Sequence, residues 1–75
     1  MTTAQLQEGL RVQHPTFGEG TVKKVGIGMD GLMEAAVEFD QAHIYLHRCG
    51  GRTKEGHGWW FHLGNVHRLD IVSEA

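Results

Sequence analysis

The sequence predicts an all-β domain, with about five short strands closed into a small, partly open barrel. Three observations carry that expectation. Eleven glycines and a single proline punctuate short β-branched or aromatic runs, giving turn signals at a spacing of about 8–12 residues. Helical periodicity is nearly absent: only residues 2–9 can form a turn or two before Gly9 ends it. Met33, Ala35, Val37 and Phe39 alternate with Glu34, Ala36, Glu38 and Asp40, the period of two that marks a strand with one wet face. Closing such strands into a barrel also removes the sticky sheet edges that so short a chain would otherwise expose.

Taken in order, residues 1–9 read as an N-terminal tail, residues 10–72 as the barrel and residues 73–75 as a C-terminal tail. The first strand spans 10–14, with Leu10 and Val12 on one face and Pro15 closing it. Phe17, Gly18, Glu19 and Gly20 make a tight connection into a second strand over 21–27, where Thr21, Val22 and Val25 favour extended backbone. Gly26, Gly28 and Gly31 flank Met29 and Asp30 at a hairpin tip, and the alternating run at 33–40 follows. A fourth strand is predicted over 43–47, with Ile44 and Leu46 opposite His43, Tyr45 and His47. The glycine-rich stretch 50–58 reads as a polar, mobile loop. Residues 59–63 form a further strand, residues 64–66 a single 3₁₀ turn, and residues 68–72 the last strand.

Composition bounds the function. The chain has 75 residues, is 40% hydrophobic and 21% charged, and carries a net charge of −2, which places it among globular domains. A domain this small buries only about 60–65% of its unfolded surface, so its core is thin and a binding module is favoured over an enzyme with a deep pocket. Seven cations against nine acids leave little charge with which to neutralise the phosphates of duplex nucleic acid. Protonating the six histidines turns −2 into +4, so behaviour on the acid side should change markedly. One cysteine, Cys49, allows no intramolecular disulfide. No run approaches the roughly 20 apolar residues of a membrane span, and residues 1–5 lack the pattern of a secretion signal, so a cytoplasmic protein without a membrane contact is expected.

The run from Gly9 to Val22, which contains Val12, His14, Phe17, Gly18, Gly20 and Val22 in a G-x-x-V-x-H-x-x-F-G-x-G-x-V arrangement, resembles a known module. With the acidic strand Val37-Glu38-Phe39-Asp40, it is similar to the Tudor-like, SH3-like barrels at the C-terminal end of bacterial UvrD/PcrA-type helicases and in related stand-alone proteins. The resemblance covers about the first 40 residues. It implies an SH3-like (Tudor/KOW-like) barrel that binds proteins, RNA polymerase among them, while KOW-like relatives bind polymerase or nucleic acid. The second half, with Cys49-Gly50-Gly51 and Gly56-His57-Gly58-Trp59-Trp60, resembles small bacterial and phage proteins to which no activity is attached. Independently of the family, Phe17 at the turn reads as a plug for the core, Val12 and Val22 as inward-facing partners, and His14 before Pro15 as an extended strand end.

Adjacent strand residues face opposite ways, so Trp59 and Trp60 cannot both be buried. Either Trp59 and Phe61 point in while Trp60 and His62 point out, or the converse holds. An outward Trp60 beside Tyr45, with Arg52, Lys54 and His62 nearby, is the candidate partner-binding surface; the alternative is that Trp60 only covers the barrel end. Among His43, His47, Cys49, His57, His62 and His67, the pairs His43–His47 and His62–His67 have a ligand-like spacing but no C-x₂₋₄-C pair accompanies them, and the set reads as unconnected surface imidazoles, so neither metal nor other cofactor is expected. Cys49 near His47 or His57 lacks the helix N-terminus and oxyanion site that a thiol enzyme needs, and it reads as a packing residue. A nucleotide loop is likewise unsupported, since residues 50–58 lack the phosphate-loop order and no helix follows.

Two functions follow. The first is a non-catalytic protein-binding module on bacterial transcription or repair machinery, whose Trp60→Ala variant would stay folded but lose its partner. The second is a single-stranded nucleic-acid binder using Arg48, Arg52, Lys54 and stacked aromatic rings, on a basic edge that includes Arg68 and lies beside Tyr45 and Trp60, with affinity that falls steeply with salt. A third, a zinc-stabilised domain, requires that a chelator lower the melting temperature.

Overall fold

A computed structural model describes residues 3–73. Five antiparallel strands form one sheet: β1 (Arg11–His14), β2 (Gly18–Ile27), β3 (Met33–Phe39), β4 (Gly58–Phe61) and β5 (Asp70–Ser73), in the spatial order β4-β3-β2-β1-β5. Single 3₁₀ turns lie at Thr3–Gln5, Cys49–Gly51 and Val66–Arg68. The all-β expectation is met. Among the described residues no helix is long and apolar enough to cross a membrane.

One side of the sheet closes over one core. Val12 of β1, Val22 of β2, Ala35, Val37 and Phe39 of β3 and Phe61 of β4 are all fully buried, and Leu10 and Leu69 join them. No helical layer of comparable size exists to cover this face among the described residues, so the sheet has to curl over itself. Leu6, in the stretch read as a tail, packs into the same core, and the Gly9 N–H donates to the Val22 carbonyl at 2.8 Å.

The pairing explains why Val22 and Val25, three residues apart, both face inward. Val22 pairs with Val37, Lys24 with Ala36 and Val25 with Ala35, so a bulge absorbs Lys23 and resets the alternation. At the other end of β2, Gly20 lies between Val12 and Phe39 in the sheet. A Cβ there would approach the Glu38 carbonyl oxygen to 2.7 Å and the Phe39 ring to 2.9 Å, so only glycine lets β2 and β3 meet at this point.

On the rim, the Arg11 guanidinium donates to both carboxylate oxygens of Asp40, at 2.9 and 2.7 Å, and to Thr21 Oγ1 at 2.8 Å. The hydrogen bonds from Arg11 hold the Asp40 carboxyl below the usual carboxylate range. The pair is open to water, so its contribution is mainly to fix how β1 meets the end of β3.

The predicted strand at 43–47 does not form. Its alternation has another cause: Leu46 alone is buried, while Ile44 and Tyr45 are exposed. The backbone turns here, with the Leu46 N–H donating to the His43 carbonyl, and only His47 bridges to Gly58. The glycine-rich stretch after it is also tied down. Phe39, His43 and His47 N–H groups donate to the carbonyls of His57, Gly56 and Gly58 respectively, and Thr53 and Cys49 are buried.

Gly20→Ala should lower the unfolding free energy by about 1–3 kcal/mol in urea titrations, because backbone and ring must move apart. Gly26→Ala, where a Cβ meets nothing within 4 Å, should change it by no more than about 0.5 kcal/mol. Equal stability of both variants would show that β2 and β3 are not held this closely.

Candidate functional site

The turn between β1 and β2 builds one wall of the site. His14 ends β1 in extended backbone ahead of Pro15, and its Nδ1 accepts from the Thr16 N–H at 3.0 Å and the Phe17 N–H at 3.3 Å. Two donors on Nδ1 require it to be unprotonated, so the ring proton resides on Nε2. This capture folds Phe17 back: its ring stacks on the imidazole with centroids 4.6 Å apart and planes 22° apart. His14 in turn abuts the rings of Phe61 at 5.7 Å and Phe39 at 6.0 Å. Phe17 thus packs against the core, as its place at the turn suggested. Burial, and secondly the charge of Arg68, push the His14 pKa below its ordinary value.

The other walls come from two further segments. Trp59 of β4 shares the inward face with Phe61 but stops half-buried, with its ring 6.0 Å from Phe17. Tyr45 is delivered by a turn in which His43 Nδ1 accepts the Tyr45 N–H at 3.2 Å, and His43 stands 4.9 Å from Phe17 and 5.2 Å from Tyr45. His14, Phe17, Tyr45 and Trp59, with Arg68 from the last 3₁₀ turn, line an open depression of about 370 Å³. Asn65 holds that turn, accepting from the His62 N–H at 2.8 Å and donating Nδ2–H to the Trp60 carbonyl at 3.1 Å. Among the described residues no carboxylate lines the depression. Arg68 is exposed and has no ion-pair partner among the described residues. Tyr45 is 66% exposed.

The outer face of the sheet carries a second, smaller arrangement. Trp60 points there, opposite Ala36, so the first of the two predicted registers applies. The segment 47–53 crosses β4 at Gly58, where a Cβ would run into Thr53 Oγ1, the His47 carbonyl oxygen and Cys49 Sγ. Ala36 and Cys49 are fully buried although neither belongs to the main core. The Arg52 guanidinium lies over the Trp60 ring at 5.4 Å, a cation–π contact.

The five residues predicted as a binding surface therefore occupy several places. Arg52 and Trp60 are together on the outer face. Tyr45 is in the aromatic groove, Lys54 lines a polar depression with Lys23, Asp40 and His57, and His62 lines a third with Met29 and Leu32. His14, Phe17 and Trp59 were not read as site residues from the sequence, while Arg68 was read as part of a basic edge beside Tyr45 and Trp60 and lies with Tyr45 alone. His14 and Phe17 sit in one turn and are legible as a pair.

The histidines have structural tasks. Nδ1 of His14, His43, His47 and His62 each accepts a backbone N–H two residues ahead, closing a turn. His57 Nδ1 lies 2.7 Å from the Phe39 carbonyl oxygen. Among the described residues no three His, Cys, Asp or Glu side chains converge in a way that could hold a metal ion. Burial pushes the Cys49 thiol pKa up, only partly offset by a hydrogen bond with Thr53 and the charge of Arg52. No protein-family model matches the chain, and no curated protein or solved structure matches it significantly.

Two measurements follow. Because the folded state depresses the His14 pKa below its ordinary 6.5, the unfolded state binds the proton more readily in that window. The stability contributed by neutral His14 should be complete above pH 6.5 and lost as pH falls through the lower folded value. Chemical denaturation between pH 8 and 5 should show this slope, and His14→Asn, which keeps a turn-closing acceptor that does not titrate there, should flatten it; an unchanged slope would remove His14 as its source. Separately, Cys49 should react with a disulfide reagent far more slowly in the native protein than in denaturant, and equal rates would show the thiol to be open.

Proposed function

We propose that the chain is a non-catalytic protein-binding module, and that the groove of His14, Phe17, Tyr45, Trp59 and Arg68 is its recognition site. The observation that carries this reading is the convergence of five rings, those of His14, Phe17, Tyr45, Trp59 and Phe61, from three separate segments, on one open depression. Aromatic side chains and arginine supply most of the energy at protein interfaces, and rings held by packing lose little entropy when a partner arrives. The non-catalytic part of the reading is supported by the burial of Cys49, which keeps the one thiol from a substrate.

The resemblance of residues 9–40 to Tudor-like, SH3-like barrels directs the search for a partner to bacterial transcription and repair machinery, with RNA polymerase or a helicase first. The second reading, a single-stranded nucleic-acid binder, draws support from Arg52 stacked on Trp60. It is weakened by the separation of Arg52 and Lys54 from the groove, because a strand needs cations along one track.

Capture from nuclease-treated bacterial lysate, run in parallel with Tyr45→Ala and Trp60→Ala, tests the proposal. A polymerase or helicase should be retained by the native protein and reduced at least about tenfold by Tyr45→Ala, with the fold intact because Tyr45 is mostly exposed. Loss through Trp60→Ala alone would move the site to the outer face. Retention that disappears with nuclease, together with oligonucleotide binding that weakens steeply with salt, would replace this reading by the second.

A further inference from the structure

Resting on the aromatic groove as the recognition site, we propose that its ligand is an extended peptide segment in which an aspartate or glutamate lies beside a proline or an aromatic residue. The carboxylate engages Arg68, and the ring lies against Tyr45, Phe17 and Trp59.

The argument is one of charge and shape. Among the described residues the groove is lined largely by aromatic rings, with Arg68 as its one charged side chain and no acid. That guanidinium is exposed and has no carboxylate partner among the described residues, so its fork of donors is available for a bidentate contact. An aromatic cage by itself would suit a cation. Here a cationic ligand meets the Arg68 charge and finds no carboxylate in the groove to offset it. Nucleic acid fits less well than peptide, because one guanidinium answers one phosphate while Arg52 and Lys54 lie elsewhere. A depression of about 370 Å³ is at the lower end of ligand pockets and takes about two side chains rather than a folded surface. Of the polar groups that line the depression only Arg68 is charged, so it is the one that favours an ionised acid over a neutral group: Asn65 Oδ1 and one Nδ2 proton are spent within the turn, and His14, whose Nδ1 accepts two backbone N–H groups, is neutral.

The test is selection of a random peptide library displayed on phage against the native protein, Tyr45→Ala, Arg68→Gln and Arg68→Glu, each checked for folding by its amide NMR spectrum. The native protein should enrich peptides with Asp or Glu within two residues of Pro, Trp, Tyr or Phe. A synthetic peptide of that consensus should bind at least about tenfold more weakly to Arg68→Gln, and its Asp→Asn version should lose as much on the native protein. Arg68→Glu should select basic residues at the same position. Peptides that need Tyr45 but show no acid preference, or that bind Arg68→Gln unchanged, would overturn this inference and leave the groove as a peptide site. Absence of any Tyr45-dependent peptide would overturn both. Binding of an oligothymidine that depends on Arg68 would overturn it in favour of a phosphate ligand.

Discussion

A neutral imidazole at the end of β1 organises this domain. His14 Nδ1 gathers two successive backbone N–H groups, and by doing so it turns the chain, folds Phe17 back and seals one end of the core. The same side chain is floor and wall at once: its ring touches Phe39 and Phe61 below and borders the groove above. A thin core cannot hold a separate pocket, so the lid of the core doubles as the base of the binding surface. Stability and recognition here share residues, and a change at His14 or Phe17 acts on both.

The outer face follows a different solution to the same shortage of material. Where a larger protein would lay a helix on the sheet, this chain lays the short segment 47–53 across β4, at the one position that has no side chain. Gly58 makes room, Cys49 is buried against that position, and Arg52 over Trp60 closes the edge in a form compatible with water. Trp60 is thereby half covered, which is why the exposed aromatic surface belongs instead to Tyr45 and the groove.

Much of the fold was legible because strand, turn and alternation are local. The hairpin of β2 and β3, the inward pair Val12 and Val22, the plug at Phe17 and the placing of Trp59 with Phe61 on one face and Trp60 on the other all follow from neighbours in sequence, though which face turns inward did not. The stretch 43–47 misled because three turn-forming residues around one buried leucine imitate a strand; the imidazoles of His43 and His47 capture the backbone N–H groups that a sheet would have used. The site was only partly legible. Tyr45 was identified, but its neighbours arrive from residues 14–17, 59 and 68, and no local pattern reports a meeting of segments so far apart. Arg52 and Trp60 were grouped with each other, because a cation–π contact across a short loop is nearly local, but they were also grouped with Tyr45, from which the sheet separates them.

The bulge in β2 has one more consequence. Lys24 and Val25 take the partners, Ala36 and Ala35, that a regular ladder would give the first and second residues after Val22, so Lys23 is supernumerary to the pairing. A chain lacking residue 23 would keep every cross-strand partner of β2 and β3 while losing the extra bend and twist that a bulge imposes. Register and curvature are thus written at different positions in this sheet: the first in the apolar alternation, the second in a single lysine that pairs with nothing on the ladder. Deleting Lys24 gives the same chain, since both residues are lysine, whereas deleting a residue outside this pair would turn part of the strand inside out.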